Sequence, residues 1–373
     1  MGTDVIRGAS GRGAAGGDLR FSDIPSELIE ACSRKLDLAL SERSIATPLL
    51  RMLRRALRQE RLVLPVVSST LGRVFELLER EDVRIFDLAL AIEADPVLAT
   101  KVVGVANSGF FGGIDSVVSV EDALMRTGLE QAKNIVAGVA IRSSVFTTTG
   151  FSEVIDLIWR RSMATGLATL ALLEDNPKTR DSAFLLGLVH DIGRTVLLAT
   201  AAPPLVAAGE PPTNEAIEAA GNEIRCELGA IVLAAWMFDD EMVDAVIWQE
   251  RPDDCPEENQ PLTRGLYAAD TLVNLGERGW RPGENEEMDR IVRELLEPMG
   301  VDFERSGEIL LLVEGGLAAF SKLIRALLRF ARRGAGQPYR SIEDWVAPPS
   351  RWWRQQFAAY SRCTRSPGQS PSL

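Results

Sequence analysis

Residues 188–193 read Leu-Val-His-Asp-Ile-Gly, so that His190 and Asp191 stand side by side near the middle of an apolar stretch. Apart from this pair and Arg194, the stretch from Asp181 to Leu198 is almost wholly apolar, which predicts a helix buried on most sides. A histidine nitrogen and an aspartate oxygen can ligate divalent metals that activate water for attack on phosphorus, if neighbouring helices add ligands. The alternative is a hydrogen-bonded pair that closes a helix, and the dipeptide alone leaves both interpretations open.

The remaining composition restricts that chemistry. His190 is the only histidine among 373 residues, so mechanisms that need two or more histidines are excluded. The cysteines are far apart in sequence and form no Cys-x-x-Cys pair; they are Cys32, Cys226, Cys255 and Cys363. This spacing predicts free thiols in a reducing compartment and argues against both a disulfide framework and a zinc site.

Charge and hydropathy indicate where the protein works. The formal net charge is -12, which repels phosphate backbones and makes nucleic acid an unfavourable partner. The N-terminus lacks an apolar segment of signal-peptide length, and Pro203 and Pro204 interrupt the most apolar run, from Val196 to Ala208. We therefore expect a cytoplasmic protein without a membrane span.

Helical periodicity dominates the chain, and no strand hairpin or glycine-rich phosphate loop is evident, which predicts an all-α fold. Residues 1–20 are rich in Gly, Ala, Ser and Arg and are expected to be disordered. Three helical segments follow, at 21–61, 62–276 and 277–333, and then a Trp-rich tail at 334–373. The tail's Trp352-Trp353 pair either anchors a protein partner or docks on the protein's own core. The terminal helices should wrap the central segment, because their apolar stripes are too small to form separate cores.

A basic stripe accompanies the second predicted helix, which begins near Pro48. Five arginines follow helical spacing opposite a leucine face: Arg51, Arg54, Arg55, Arg58 and Arg61. Such a stripe either contacts an anionic partner or is an ordinary solvated face, which surface helices commonly show.

The order of several short motifs resembles the HDOD family, the HD-related output domains of bacterial signalling proteins. In chain order the motifs are Leu64-Pro65, Asp95-Pro96, Ala106-Asn107-Ser108, Ser119 to Leu124 with Gly128, Trp159-Arg-Arg-Ser162, and Leu188 to Gly193. The resemblance spans about residues 62–276. It implies a multi-helix bundle of HD-domain-like type, related to metal-dependent phosphohydrolases, with additional N- and C-terminal helices. It also implies a regulatory output domain, since family members often lack a complete metal site.

Carried over residue by residue, the resemblance implies an eroded metal site. Arg161 stands where the first HD histidine is expected, whereas His190 and Asp191 are intact. Arg225 falls in the region of a later histidine, and Asp270 is the expected final aspartate. We call Arg161, His190, Asp191, Arg225 and Asp270 the HD pocket.

An arginine cannot ligate a metal and stays charged, so we expect the HD pocket to hold an ion-pair network, no metal and no other cofactor. Two interpretations remain open. Either the arginines and carboxylates only satisfy each other, or Arg161 or Arg225 contacts the phosphate of a bound ligand. The Gly-Tyr-Pro signature of relatives that hydrolyse cyclic di-GMP is absent after the HD motif, so that activity is not expected.

The sequence thus favours a non-catalytic signalling module that binds protein partners, with a homodimer as one such arrangement. The alternative is a metal-dependent phosphohydrolase or a nucleotide-binding sensor that uses the HD pocket. A metal site built from carboxylates alone would draw on Asp191, Glu227, Glu250 and Asp270, with Mg or Mn as the ion. A nucleic-acid binder is a third hypothesis, which the arginine stripe favours and the net charge opposes.

Overall fold

The computed structural model describes residues 21, 24–65, 69–78, 80, 82–95, 98, 99, 102, 103, 106, 117–128, 136–138, 141, 142 and 151–334. All regular structure in these ranges is helical, which confirms the predicted all-α class. The predicted disordered segment 1–20 and the Trp-rich tail beyond Gly334 lie outside the described residues.

The helices form a continuous succession with short connections. In chain order they are α1 (Ser26–Ala39), α2 (Thr47–Arg58), α3 (Ser69–Leu78), α4 (Ile85–Glu93), α5 (Val120–Thr127), α6 (Ser152–Leu173), α7 (Arg180–Val189), α8 (Gly193–Ala207), α9 (Asn214–Ala235), α10 (Asp240–Ile247), α11 (Gln260–Glu277), α12 (Glu286–Leu296) and α13 (Phe303–Gly334). Short 3-10 turns at Pro252–Asp254, Glu257–Asn259 and Glu297–Met299 join the later helices.

Helix α6 is central to the bundle and packs against α7, α11 and α13. Two glycines let α6 and α7 come unusually close, because a Cβ atom on Gly187 would lie only 2.6 Å from Cα of Gly166. This contact fixes the last turn of α7, from which the His-Asp pair follows.

The terminal helices pack on the same core. Helix α1 lies against α9 and α2 lies against α8, while α13 covers α6. Leu36 of α1 and Leu50 and Leu53 of α2 are fully buried, in one apolar cluster that also contains Val313 of α13. The small apolar stripes of these helices thus contribute to a shared core.

The apolar stretch around the His-Asp pair is two helices, α7 and α8, and not one. Ser182–Ala207 is apolar enough to cross a membrane by length and composition, but 89% of its most apolar window is buried in the fold, as in a core helix. Pro203 and Pro204 were expected to interrupt the most apolar run, but α8 continues through both of them. Burial of α8 in the core offsets the backbone hydrogen bonds that the prolines cannot donate.

The described cysteines, Cys32, Cys226 and Cys255, are buried and carry free thiols, as predicted. Burial raises the pKa of the Cys226 thiol well above its ordinary value. These thiols are therefore packing groups in the core.

Candidate functional site

The HD pocket lies where the ends of α7 and α10 meet the middle of α6, α9 and α11. His190 and Asp191 lie in the turn between α7 and α8, and Gly193 begins α8. A Cβ atom on Gly193 would lie 2.1 Å from the carbonyl oxygen of Arg225, so only glycine lets α8 start this close to α9. The glycine of the motif therefore brings Asp191 to the side chain of Arg225.

His190 is completely buried, and its two ring nitrogens have different surroundings. Nδ1 lies 2.7 Å from the carbonyl oxygen of Gly187, which can only accept, so Nδ1 carries a proton and donates. Nε2 has no hydrogen-bond partner among the described residues and lies 3.5 Å from Oδ1 of Asp270. Nε2 is thus the atom that faces the centre of the pocket.

Asp191 is buried between two arginines. Its Oδ1 accepts from Nε of Arg194 at 2.8 Å and from Nη1 of Arg225 at 3.4 Å. Burial by itself would raise the pKa of Asp191, but the charges of Arg194 and Arg225 hold it below its ordinary value. Asp191 is therefore a paired carboxylate anion.

Asp270, on α11, is bound in the same way. Nε and Nη2 of Arg161 donate to its Oδ1 at 3.2 and 3.0 Å, and Nη2 of Arg225 lies 3.5 Å from its Oδ2. Burial opposes ionisation of Asp270, but the charges of Arg161 and Arg225 hold its pKa well below the ordinary value. Both acids of the pocket are therefore ionised and compensated by arginine.

Arg225 connects the two acids and also reaches the end of α10. Its Nε donates to Oε1 of Glu250 at 3.0 Å and its Nη1 donates to Oε1 of Gln249 at 3.2 Å. Burial lowers the pKa of this guanidinium, but Asp270 and Asp191 outweigh burial and raise it. Arg225 thus lies between the two carboxylates, whose charges it compensates together with Arg194 and Arg161.

Sequence reasoning missed Arg194 and Glu277, and it noted Gln249 only as the residue that follows Ile247-Trp248, where family members often have a histidine. Arg194, three residues after Asp191, also donates to Oδ1 of Asn222 at 2.5 Å, and Nε2 of buried Gln249 donates to the backbone oxygen of His190 at 3.1 Å. Glu277 on α11 has a buried carboxylate oxygen with no hydrogen-bond partner in the part of the chain that the structure describes, and burial raises the pKa of this carboxyl to about 7. Arg194 lies three residues after Asp191, about one helical turn, and this spacing was the sequence signal that could have predicted their ion pair.

The residues present do not fit a divalent metal. Guanidinium nitrogens lie against both Asp191 and Asp270, and His190 Nε2 is the one nitrogen of the HD pocket left to ligate. No group of three or more His, Cys, Asp or Glu side chains suited to a metal occurs among the residues that the structure describes. Glu227, which the carboxylate-only hypothesis needs, lies two residues from Arg225 on α9 and so on a different face of that helix.

The arginines named as anion contacts are already engaged. Arg161 is paired with Asp270, and Arg225 is shared among Asp191, Asp270 and Glu250. A phosphate would have to displace one of these carboxylates. The geometry therefore favours mutual satisfaction of the charges over an open anion site.

Comparison with known proteins agrees with this architecture. The profile of the HDOD domain family matches residues 64–252, which is half of the chain. A protein of Treponema pallidum, described only as uncharacterized, is 23% identical over 223 residues that make up 57% of this chain. The match covers 42% of that relative, so this chain spans less than half of its length.

Solved structures with the same fold come from several bacteria. A protein of Shewanella amazonensis, provisionally named a metal-dependent phosphohydrolase, is 23% identical with a TM-score of 0.53, covering 74% of this chain and all of its own. An HDOD domain protein of unknown function from Geobacter sulfurreducens is 20% identical with a TM-score of 0.52, covering 76% of this chain and 98% of its own. A protein of Marinobacter aquaeolei, provisionally named for signal transduction, is 22% identical with a TM-score of 0.56, covering 76% of this chain and 67% of its own. These likenesses confirm the HD-domain-like bundle.

Proposed function

Because this chain belongs to the HDOD family, we propose that it is a non-catalytic signalling module of the bacterial cytoplasm, in which arginine takes the place of a metal ion and output passes through protein partners. One observation carries the proposal: Arg225 lies between Asp191 and Asp270, at 3.4 and 3.5 Å, while Arg161 pairs with Asp270 from the other side. Both acids are therefore compensated by arginine without a metal ion.

The ion pairs also give the charged residues of the HD pocket a structural role that does not depend on catalysis. Removing one partner of a buried ion pair leaves an uncompensated charge, which costs about 3–5 kcal/mol. Loss of either arginine would therefore leave Asp191 or Asp270 with weaker compensation inside the fold. A stable helical scaffold with no metal is suited to presenting binding surfaces.

The test is metal content together with hydrolysis. Purified protein, incubated with Mn, Fe, Mg and Zn and then desalted, is analysed by inductively coupled plasma mass spectrometry and assayed with bis(p-nitrophenyl) phosphate. The proposal expects metal and turnover at background, equal to those of an Asp191→Asn/Asp270→Asn variant. Near-stoichiometric metal or turnover that this variant loses would overturn it.

One observation favours a second candidate function, a phosphohydrolase or nucleotide sensor that uses the HD pocket. His190 Nε2 is buried, faces Asp270 and has no hydrogen-bond partner in the described ranges, as expected of a nitrogen available to ligate. Thermal unfolding with and without ATP, GTP and cyclic di-GMP tests this candidate. It requires a rise in the melting temperature that Arg161→Gln abolishes, and the leading proposal expects no rise.

A further inference from the structure

The solvent-facing side of α2 carries one sign of charge. Arg51, Arg55 and Arg58 are exposed there, one helical turn apart, and exposed Arg61 follows the helix. We call these residues the arginine face. The opposite side of α2 is buried through Leu49, Leu50, Leu53 and Leu57, and α2 contains no acidic residue. The helix is therefore divided into a packed leucine side and an arginine side.

This arrangement disfavours the isolated helix. Arg51 and Arg55 are four residues apart, and Arg55 and Arg58 three, and like charges at these spacings repel. Asp37 of α1 offsets part of the repulsion, lying 3.1 Å from Nη1 of Arg54 and 3.8 Å from Nη2 of Arg58. Within the described part of the chain, Arg51 and Arg55 have no carboxylate within salt-bridge distance. Two guanidinium groups with ten N–H donors between them thus point into solvent.

Helix α12, another surface helix of the described part of the chain, differs from α2. Helix α12 mixes both signs on its exposed side, with Glu286 and Glu287 ahead of Arg290, which pairs with Glu294 at 4.0 Å. Mixed signs are the ordinary composition of a solvated surface. Residues 24–65 hold eight Lys and Arg against five Asp and Glu, in a chain whose net charge is -12. The arginine face is therefore a basic strip on an acidic protein.

We propose that the arginine face binds a short acidic segment of a partner protein. The inference rests on the proposed function, for which it names a binding surface. Arginine pairs with carboxylates through two parallel hydrogen bonds, which gives such a strip geometric as well as electrostatic selectivity. Four extended residues of a partner would reach the roughly 10 Å that separate Arg51 from Arg58 along the helix axis.

The short length of the arginine face favours an acidic peptide over a nucleic acid as its ligand. A duplex longer than the strip would meet the rest of a chain whose net charge is -12, and its phosphates would be repelled by any carboxylate within roughly 8 Å, the range of charge interactions at physiological ionic strength. A short peptide can be confined to the strip and avoids that repulsion. The charge distribution therefore favours a protein ligand of limited length.

The experiment measures binding of a fluorescein-labelled octaglutamate peptide to the full chain by fluorescence anisotropy at 20 and 200 mM NaCl. The Arg51→Gln/Arg55→Gln/Arg58→Gln variant should lose at least tenfold in affinity at 20 mM NaCl. Glutamine is a good helix former and the substitutions relieve repulsion, so circular dichroism should show an intact fold.

A matched control separates the strip from net charge. Arg73→Gln/Arg84→Gln/Arg290→Gln removes the same charge from exposed positions elsewhere, and it should keep the parent affinity within about twofold. Absent binding by the parent, or equal losses in the two variants, would overturn the inference. Tighter binding of a twelve-base-pair DNA duplex than of octaglutamate would overturn it in favour of nucleic acid. Peptide binding is measured independently of metal content and turnover, so a failure of this inference can be distinguished from a failure of the proposed function.

Discussion

Arg161 and Asp270 meet in the HD pocket, with Nε and Nη2 of Arg161 both donating to Oδ1 of Asp270, at 3.2 and 3.0 Å. The two residues are 109 positions apart in sequence and join α6 to α11. The resemblance to HD domains implies a metal-ligating histidine at the position of Arg161. In this chain the residue is a permanent cation, so the attraction that a metal would exert on Asp270 comes from the protein itself.

Breaking this pair should destabilise the fold. Arg161→Ala leaves Asp270 with weaker compensation from Arg225, and we expect a loss of roughly 3 kcal/mol in the free energy of unfolding, measured by urea denaturation. Arg290→Ala, which breaks an exposed pair, should cost less than about 0.5 kcal/mol. A double-mutant cycle with Asp270→Asn should give a coupling of about 1–3 kcal/mol. Equal effects of Arg161→Ala and Arg290→Ala would contradict a structural role for the pair.

If arginine occupies the place of a metal, removing it should make metal binding possible. In an Arg161→His/Arg225→Ala variant a second histidine would accompany His190 Nε2, Asp270 would lose both of its arginines, and Asp191 would keep only Arg194. We expect Mn or Zn to raise the melting temperature of this variant, since metal at a hundredfold excess over Kd stabilises by about 2.7 kcal/mol. The parent should show no such rise, and adding Asp191→Asn should abolish it. A folded double variant without a metal response would mean that the ligand positions no longer converge.

The start of α8 depends on Gly193. Alanine there would place a Cβ atom 2.1 Å from the carbonyl oxygen of Arg225, a backbone atom that cannot give way without moving α9. We expect Gly193→Ala to cost at least about 3 kcal/mol in urea denaturation, the upper end for overpacking. Gly315→Ala on α13 is the control, because its Cβ would meet nothing within 4 Å. That change should stabilise the helix by up to about 1 kcal/mol, and a similar result at Gly193 would refute the steric argument.

The sequence predicted the fold class and part of the site for identifiable reasons. The all-α class followed from the helical periodicity of apolar residues. The residues of the HD pocket were named through the HDOD resemblance, because short local motifs align this chain with the family position by position. The connections of Arg225 were not predictable in detail, since they depend on how the ends of α10 and α7 meet around Gln249 and His190. The prediction that Pro203 and Pro204 interrupt the apolar run was wrong, because proline's tendency to break helices is local and burial of α8 overrides it.

Glu277 was also missed, although it lies seven residues, or two turns, after Asp270 on the same helix. The interval itself was visible in the sequence. The sequence does not show how α11 is oriented, and this orientation brings both residues near Arg161, where they are shielded from solvent. At the position of Glu277 burial disfavours the carboxylate anion, and no sequence motif identifies a position of this kind.

That position makes the stability of the protein depend on pH. Burial raises the pKa of Glu277 from its ordinary value of 4.5 to about 7, with Asp270 adding to the rise and Arg161 opposing it. A carboxyl whose pKa is higher in the folded state stabilises the fold fully below about pH 4.5, and the stabilisation is lost as the pH rises through about 7. Between pH 5 and 8 the free energy of unfolding should therefore fall by about 1–3 kcal/mol from this group, at about 1.4 kcal/mol per unit of pKa.

Glu277→Gln should remove this fall, because glutamine resembles the protonated carboxyl at every pH. Urea denaturation of parent and variant at pH 5, 6, 7 and 8 gives the difference, with the variant the more stable at pH 8. Glu297→Gln, at an exposed carboxylate after α12, should keep the parent's slope and serves as the control. Parallel pH profiles for the parent and Glu277→Gln would show that Glu277 is ionised in the folded protein throughout this range. The ion pairs of Asp191 and Asp270 persist over the same range, because their lowered pKa values place their protonation at more acidic pH.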